Sequence, residues 1–543
     1  MTATWSQNYF LFGQGLALSA LIAAAPIFTL LFLLGVLRKP AWIAGLTGLV
    51  VTFVVAIAGY GMPVGMSISA ATHGMAFGLF PISWIVLWAI VLYRVTLETA
   101  KFEIIKDSIG SLTADPRLQA LLIAFAFGAF VEGAAGFGTP VAVAAAMLTG
   151  LGFTPFYAAA VCLLANTAPV AFGSIGIPVI TLAGITGLPL ERVSAAVGCL
   201  CAPVSLIIPA YLTNAMGGRR ALKAVWPAAL VAGVAFAGVQ FIVSNFIAAQ
   251  LTDILSSLSA IVALVTLLHF WKPADQHEGT AVHADATPFR KHSTGEILKA
   301  WMPYGLLVVF VLLWGYKPIQ TALNSVTTAI PWPGLHNLVQ RMPPVLEKPT
   351  PYGAVFNLNW LAASGTSCMF AALLSALFLG MRPVAFGKLL LATARQLLLP
   401  TLTVTSVLAV AFLMNYSGAT GTLGLAFAST GALFPFFSAL LGWLGVFLTG
   451  SDTSANALFG SLQVVTAGRL GLNPALMAAG NSTGGVMGKM ISLQTIAVAA
   501  AATNMSEEDQ ARLFRFTLKH SLLLASAVGL LVMLYTYVLR FEF

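Results

Sequence analysis

Stretches of about 20 mostly apolar residues recur along nearly the whole chain, and this repetition restricts the fold more than any other feature. A helix of that length spans the hydrocarbon core of a bilayer. Only 8% of the 543 residues are charged and 59% are hydrophobic, whereas soluble proteins carry about 25% charged residues. The sequence therefore predicts an all-α polytopic membrane protein with about 12 to 14 membrane segments, some of them interrupted.

The remaining charge and cysteine pattern excludes several classes of function. The net charge is +9, but the basic residues form no long cluster, so we expect basic cytoplasmic loops rather than a nucleic-acid site. The four cysteines lie in apolar stretches without metal-ligand spacing, which predicts neither a metal site nor a disulfide framework. No G-x-x-x-x-G-K-[ST] motif is present, so we expect no ATP and no cofactor.

One acidic residue stands inside an apolar, glycine-rich segment, F-V-E-G-A-A-G-F-G-T-P from Phe130 to Pro140. Glycine and proline at this density disfavour a continuous helix, and half-helices that meet inside the membrane expose backbone groups that bind ions and carboxylates. The alternative is that the glycines only allow close helix packing. Glu132 beside them favours a functional site, because a membrane-embedded carboxylate is costly.

Similar features occur at three further places. F-L-T-G-S-D-T-S-A-N places Asp452 in an apolar segment. L-A-N-T-A-P-V-A-F-G-S-I-G-I-P carries Asn166, Thr167 and Ser174, which are either site residues or interhelical hydrogen-bonding groups. Lys489 is the clearest buried base, in G-V-M-G-K-M-I-S. We therefore expect a site built from these segments together.

Three blocks of the first half recur in order in the second half. Residues 128–133, 151–155 and 166–173 resemble residues 445–450, 470–474 and 481–488, at offsets of 317, 319 and 315 residues. Paired interruptions in two related halves indicate the binding site of a secondary transporter. The order of basic loops around the two motifs favours an inverted repeat.

The repeat also predicts the domain organisation. Residues 1–271 form an N-terminal membrane repeat, with a first broken-hairpin motif at 128–178. Residues 272–299 form a hydrophilic, cytoplasmic linker. Residues 300–543 form a C-terminal repeat, with a second broken-hairpin motif at 445–494.

The buried charges suggest roles in transport. We expect Glu132 and Asp452 to couple protons, because an apolar surrounding disfavours a charged carboxylate. Our hypothesis is that Asp452 pairs with Lys489 in the resting protein, since an isolated buried ion is unfavourable. Alternatively, Lys489 holds a substrate carboxylate together with the hydroxyls of Ser482 and Thr483. A fixed structural ion network of all three charges is the remaining interpretation.

The same motifs resemble the lactate permease family of bacterial inner membranes. The resemblance rests on E-G-A-A-G-F-G-T-P-V-A, N-T-A-P-V-A-F-G, L-G-W-L-G-V-F-L-T-G-S-D-T-S-A-N-A-L-F and N-S-T-G-G-V-M-G-K-M-I-S, and it extends over essentially the whole chain. It implies proton-coupled uptake of L-lactate, D-lactate and glycolate by an elevator-type carrier, in which a scaffold supports a transport domain with two broken hairpins. It implies no enzymatic activity, and it leaves oligomerisation open.

The resemblance also places the candidate substrate contacts in these motifs. They are Gly136, Thr139, Asn166, Thr167, Ser451, Thr453, Ser454, Asn456, Asn481, Ser482, Thr483 and Lys489.

Other functions remain as alternatives. A sodium-coupled or exchange carrier of another small organic anion fits the residues, because Asp452 and backbone carbonyls can bind sodium. An intramembrane protease could use two acids or a Ser451–Lys489 pair, but a protease needs no duplicated motif. A channel would line a pore with rings of charge.

Overall fold

A computed structural model of the protein describes residues 4–13, 15–136, 138–273 and 290–542. Most of the predicted linker, residues 274–289, lies outside the described residues. In the described part, eleven helices are long and apolar enough to cross a membrane, or twelve if the bent pair Pro155–Ala165 and Val170–Thr186 counts as one span. The structure confirms a polytopic helical membrane protein, with a number of spans at the lower end of the prediction.

The described residues before the linker form twelve α-helices, several of which continue into π-helical turns at Val55–Gly59, Gly78–Ser83 and Ala120–Phe127. The longest helix breaks at Gly217 and Gly218 and folds back on itself. The helices are α1 Leu16–Gly35, α2 Ala41–Val54, α3 Val64–Phe77, α4 Trp84–Glu98, α5 Lys101–Gly110, α6 Pro116–Gln119, α7 Gly128–Ala134, α8 Thr139–Gly150, α9 Pro155–Ala165, α10 Gly173–Thr186, α11 Leu190–Phe246 and α12 Thr252–Phe270.

The described residues after the linker form eleven further α-helices. Apart from one short strand near the N-terminus, the strands of the structure also lie in this half. The helices are α13 Thr294–Gly315, α14 Lys317–Asn324, α15 Ser364–Phe378, α16 Pro383–Gln396, α17 Leu398–Ser417, α18 Ala419–Ala428, α19 Phe434–Thr449, α20 Asp452–Leu470, α21 Pro474–Lys489, α22 Leu493–Thr503 and α23 Glu507–Tyr537. The strands are β1 Trp5–Ser6, β2 Thr328–Pro331, β3 Val339–Arg341, β4 Thr350–Pro351 and β5 Val355–Leu358.

The five short strands form a small cap that the all-α expectation did not include. β1 pairs in parallel with β3, which pairs antiparallel with β4. β2 pairs antiparallel with β5, with Thr328 opposite Leu358. The cap packs on α3, where Trp332 stacks on His73 with ring centroids 5.0 Å apart. Residues 328–358 thus form an ordered cap over the helices.

Two helical hairpins place the acidic motifs at their tips. The first arm of the first hairpin contains α6 and α7, and its second arm is α8. Glu132 lies in α7, close to the turn between the two arms. The second consists of α19 and α20, joined at Gly450, whose φ of 72° lies in the left-handed region. The two breaks lie where the glycine-rich motifs predicted them.

Each hairpin is followed by a span with a break. α9 and α10 meet at a bend of 67°, within the predicted segment that begins at Asn166. The predicted counterpart, residues 481–488, is helical instead, and its break follows at Met490–Ser492. The break thus lies just beyond the matched block but within the predicted motif 445–494, because Gly484 and Gly488 pack against α19 and do not end the helix.

The contact between α19 and α21 depends on these small residues. A β carbon at Gly484 would overlap the backbone of Ala439, and one at Gly488 would overlap the carbonyl of Trp443. From the other side, a β carbon at Gly442 would overlap the carbonyl of Asn481. Such glycines let helix backbones touch inside a membrane. This contact, the α19–α21 seam, holds the second hairpin against the helix that carries Lys489.

We predict that Gly484→Ala lowers the thermal stability of the purified protein in detergent by the equivalent of about 1–3 kcal/mol, because α19 and α21 must separate. Gly468→Ala in α20 is the matched control, since no atom lies within 4 Å of its added methyl group. Thermal unfolding of both variants tests the seam. Equal melting temperatures for the two variants would contradict it.

Candidate functional site

The two hairpin tips and the two broken spans enclose one small polar cavity of about 80 Å³. Such a volume has room for a few waters or one small molecule. The first half lines the cavity with Glu132, Gly173 and Ser174. The polar lining from the second half is Ser451, Asp452, Thr453, Lys489, Gln494 and Thr495.

An ion pair between the two halves lies in the cavity wall. Lys489 Nζ donates to Glu132 Oε1 at 2.9 Å, and the two side chains are 10% and 3% exposed. Gly173 makes room for this carboxylate, because a β carbon there would lie 2.6 Å from Glu132 Oε1. The expected pairing of Lys489 with Asp452 was wrong. Lys489 is the last residue of α21, and its ammonium reaches the carboxylate of the first hairpin.

Asp452 is instead held by neutral donors. Its Oδ2 accepts from Ser482 Oγ at 2.7 Å and from Asn456 Nδ2 at 3.2 Å. The other oxygen, Oδ1, has no hydrogen-bond partner among the described residues. Gly485 faces that oxygen, and a β carbon there would lie 2.5 Å away. Asp452 therefore keeps one free acceptor in the cavity wall.

A network of polar side chains extends from Asp452 along α20 and across to α21. Asn456 Nδ2 also donates to the carbonyl of Pro178 at 3.2 Å, which ties the hairpin to α10. Asn481 Nδ2 donates to Asn456 Oδ1 at 2.9 Å, and Gln463 Nε2 donates to Asn481 Oδ1 at 3.1 Å. Asn456 and Asn481 thus position Asp452 and lie behind the cavity lining.

The start of α20 supplies a second feature for binding an anion. Ser451 is its N-cap, and the hydroxyl of Ser451 accepts from the backbone N–H of Ser454 at 3.2 Å. The next residues, Asp452 and Thr453, form the first helical turn and line the cavity. Unpaired N–H groups at a helix N-terminus carry partial positive charge, which favours a carboxylate.

The first broken span contributes an irregular segment. Ser174 and Ile175 have φ values of 48° and 60°, a conformation that non-glycine residues rarely adopt. The hydroxyl of Ser174 donates to the carbonyl of Ala135 at 3.1 Å, so this segment is fastened to the first hairpin tip. Strained backbone of this kind concentrates at functional sites.

Several predicted residues do not line this cavity. Thr167 donates to the carbonyl of Leu164, and Thr483 lies 3.5 Å from the thiol of Cys201. Asn166 is buried beside the break. Gly136 and Thr139 belong to the first hairpin turn and the start of α8, where Gly136 packs against Ser174.

Two features were missed from sequence. Gln494 and Thr495 line the cavity because α21 ends at Lys489 and α22 starts at Leu493, beside the site. Asp253 was not singled out from the sequence, but it is 1% exposed and lies in the first turn of α12. The uninterrupted apolar sequence that follows Asp253 in α12 was the sequence feature that could have indicated its burial. Among the described residues, no group of three His, Cys, Asp or Glu side chains could hold a metal ion.

The comparisons with known proteins agree on one family. The profile described as L-lactate permease matches residues 19–539 of the chain. An L-lactate permease of Salmonella typhimurium is 45% identical over 98% of both chains. The glycolate permease GlcA of Escherichia coli is 44% identical, again over 98% of both chains. An L-lactate permease of Bacillus subtilis is 44% identical over 98% of this chain and 99% of its own.

Among solved structures, MtrF of Neisseria gonorrhoeae, described as illuminating a class of antimetabolite efflux pumps, shares the fold. It aligns over 94% of this chain and 97% of its own, with a TM-score of 0.51 and 12% identity. At this identity the likeness concerns the fold alone.

Measurements of protein stability can test the ion pair of Lys489 and Glu132. We predict that Lys489→Met lowers the unfolding free energy by about 3–5 kcal/mol, because it leaves Glu132 buried and unpaired. Adding Glu132→Gln should recover much of this loss, since a neutral amide needs no counter-ion. Thermal unfolding in detergent of both variants measures the effect.

The exposed Lys388→Met in α16 serves as the control, which should unfold like the unchanged protein. A double variant no more stable than Lys489→Met alone would show that the pair is not the source of the loss.

Proposed function

We propose that this chain, which belongs to the L-lactate permease family, takes up L-lactate and related 2-hydroxy monocarboxylates together with protons. D-lactate and glycolate are the other substrates we assign to it. The family consists of permeases, so the chain is a multi-pass transport protein of the bacterial inner membrane and not an enzyme. The substrates of its relatives, lactate and glycolate, are the basis for the substrate class.

The observation that carries the proposal is the buried pair of Lys489 and Glu132 in the cavity wall. A substrate carboxylate that enters the cavity competes with Glu132 for the ammonium group. Once displaced, Glu132 is a buried carboxylate without a cation, and it takes up a proton to become neutral. The group formed by Lys489, Glu132 and the substrate carboxylate then has no net charge, and the Lys489–Glu132 pair has none when the site is empty. One anion and one proton enter together.

The remaining cavity groups suit the rest of a small 2-hydroxy acid. The first turn of α20 offers backbone N–H groups and the Thr453 hydroxyl near Lys489, and Ser451 lines the same wall. A hydroxyl on the substrate needs one donor or acceptor, and we assign this role to Thr495, which also lines the cavity. A cavity of about 80 Å³ favours a small anion over a bulky one.

Asp452 is the second carboxyl that we assign to coupling. It lines the cavity, and its Oδ1 is free of hydrogen-bond partners among the described residues. We further propose that the two hairpins and two broken spans move together as the transport domain of an elevator carrier with inverted repeats. The hydrogen bonds of Asn456 and Ser461 to carbonyls of α10 support this, because they join the two halves at the site.

Reconstituted protein tests the transport activity. We expect liposomes with the purified full-length protein to accumulate labelled L-lactate above equilibrium when an inward proton gradient is applied. A protonophore should abolish the accumulation. Saturable uptake that follows a sodium gradient and ignores protons would contradict proton coupling. If folded protein transports no lactate, the assignment of lactate as its substrate is wrong.

A second prediction concerns Glu132. Wild-type uptake should rise as the outer pH falls, because protonation of the displaced Glu132 accompanies binding. Glu132→Gln should still bind lactate, but its transport should lose this pH dependence, since the amide cannot titrate. Glu508→Gln, at an exposed position of α23, is the matched control and should keep the wild-type profile. An unchanged profile in Glu132→Gln would remove this residue from coupling.

A further inference from the structure

Asp253 is a third buried carboxyl beside the site, and neither the sequence motifs nor the proposed substrate contacts include it. It is 1% exposed, and both of its oxygens lack a hydrogen-bond partner among the described residues. Glu132 has a cation and Asp452 has two neutral donors. Of the three carboxyls, Asp253 is thus the one that the described structure leaves without any donor.

Asp253 lies on a helix that packs directly against the helix of Glu132. α12 packs against α7 so closely that a β carbon at Gly133 would lie 2.8 Å from the β carbon of Asp253. Gly133 follows Glu132 in the chain, and the charges of Glu132 and Lys489 both act on Asp253. Glu132 itself has a second oxygen, Oε2, without a partner among the described residues. Two carboxyls with free oxygens therefore lie on touching helices.

The surroundings of Asp253 favour its neutral form. A carboxylate buried without donors is strongly disfavoured. The start of α12 favours negative charge, but the effect of a helix dipole is small beside that cost. The other titratable groups that interact with Asp253 are Lys489 on α21 and Cys201 on α11. The packed segments of α10 and residues 120–127 contain no ionisable side chain.

A second cavity is lined in part by residues 246–250, the segment just before α12. Its volume of about 350 Å³ is large enough for several waters. It shares no lining residue with the substrate cavity, and Asp253 lines neither of these two cavities of the described structure. Gln250 lines the larger cavity and precedes Asp253 by less than one helical turn. The polar lining further includes Ser194, Ser244, Asn245, Ser364 and Ser367.

We propose that Asp253 is a proton-relay residue that connects this larger cavity to Glu132, on a route separate from that of the substrate. As the substrate carboxylate displaces Glu132 from Lys489, Glu132 rotates towards α12. The O–H bond of Asp253 breaks and an O–H bond forms on Glu132. Asp253, now a carboxylate, takes a proton from a hydronium ion in the larger cavity, which leaves a water molecule there. This inference rests on the proposed function, in which Glu132 binds the coupled proton.

The test compares two reactions of the full-length protein in liposomes. Exchange of labelled for unlabelled lactate needs no net proton movement, whereas accumulation in a proton gradient does. We expect Asp253→Asn to reduce accumulation, and the proton entry measured by an internal pH dye, by about tenfold or more. Exchange should fall much less. Ser256→Ala, one turn along α12 and also buried, should match the wild type in both reactions.

The outcomes separate the relay from the proposed function. If the wild type and Asp253→Asn accumulate lactate equally, the relay is overturned but the proposed function is not. If folded Asp253→Asn loses exchange and accumulation equally, Asp253 has a structural role, and this result would also overturn the relay. A wild type that exchanges lactate but never accumulates it would refute proton coupling, and the relay with it.

A second variant covers the case in which Asp253→Asn does not fold. Asp253→Glu keeps a carboxyl but moves it relative to Glu132. We expect it to retain accumulation with a displaced pH dependence. A wild-type pH profile in Asp253→Glu would count against the relay.

Discussion

The buried contact between Lys489 and Glu132 is the interaction on which the arrangement of the site depends. Each of these ions alone would be very unfavourable at this depth, and each is tolerated because the other is 2.9 Å away. The two residues come from different halves of the chain, so the pair holds the first hairpin against the second broken span. Such a pair contributes little net stability compared with apolar packing. In the proposed mechanism its value lies in being replaceable, because the substrate carboxylate takes the place of Glu132 on Lys489.

The glycines of the chain make this geometry possible in two different ways. At Gly173 and Gly485 the missing side chain leaves space for the carboxylates of Glu132 and Asp452. At Gly484 and Gly488 it lets α21 touch α19, which fixes the position of Lys489 at the end of its helix. Neither role requires a helix break. Dense glycine in a membrane segment therefore indicates close approach as often as interruption, and only the neighbouring polar residues distinguish the two.

This ambiguity explains what sequence reasoning could and could not predict. Membrane-length apolar stretches gave the helical class, and a charge among glycines located Glu132, Asp452 and Lys489 near one another. The pairing was wrong because it depends on which way each hairpin tip faces, and residue spacing carries no such information. Residues 481–488 stay helical, unlike the matching block 166–173, because their glycines serve packing. Gln494 and Thr495 were missed as a consequence, and Asp253 was missed because burial by α7 and α11 is a tertiary effect.

Separate access for proton and substrate follows from how the three carboxyls are held. Glu132 lines the small cavity with one oxygen on Lys489. Asp253 lies on the neighbouring helix α12, and Gln250, just before that helix, lines a larger cavity with different walls. If the proton entered through the substrate cavity, the arriving anion would close its path at the moment when Glu132 must become neutral. A donor behind Glu132 avoids this conflict, because the displaced side chain turns away from the anion and towards its proton. The close contact at Gly133, where no larger side chain fits beside Asp253, keeps that distance short.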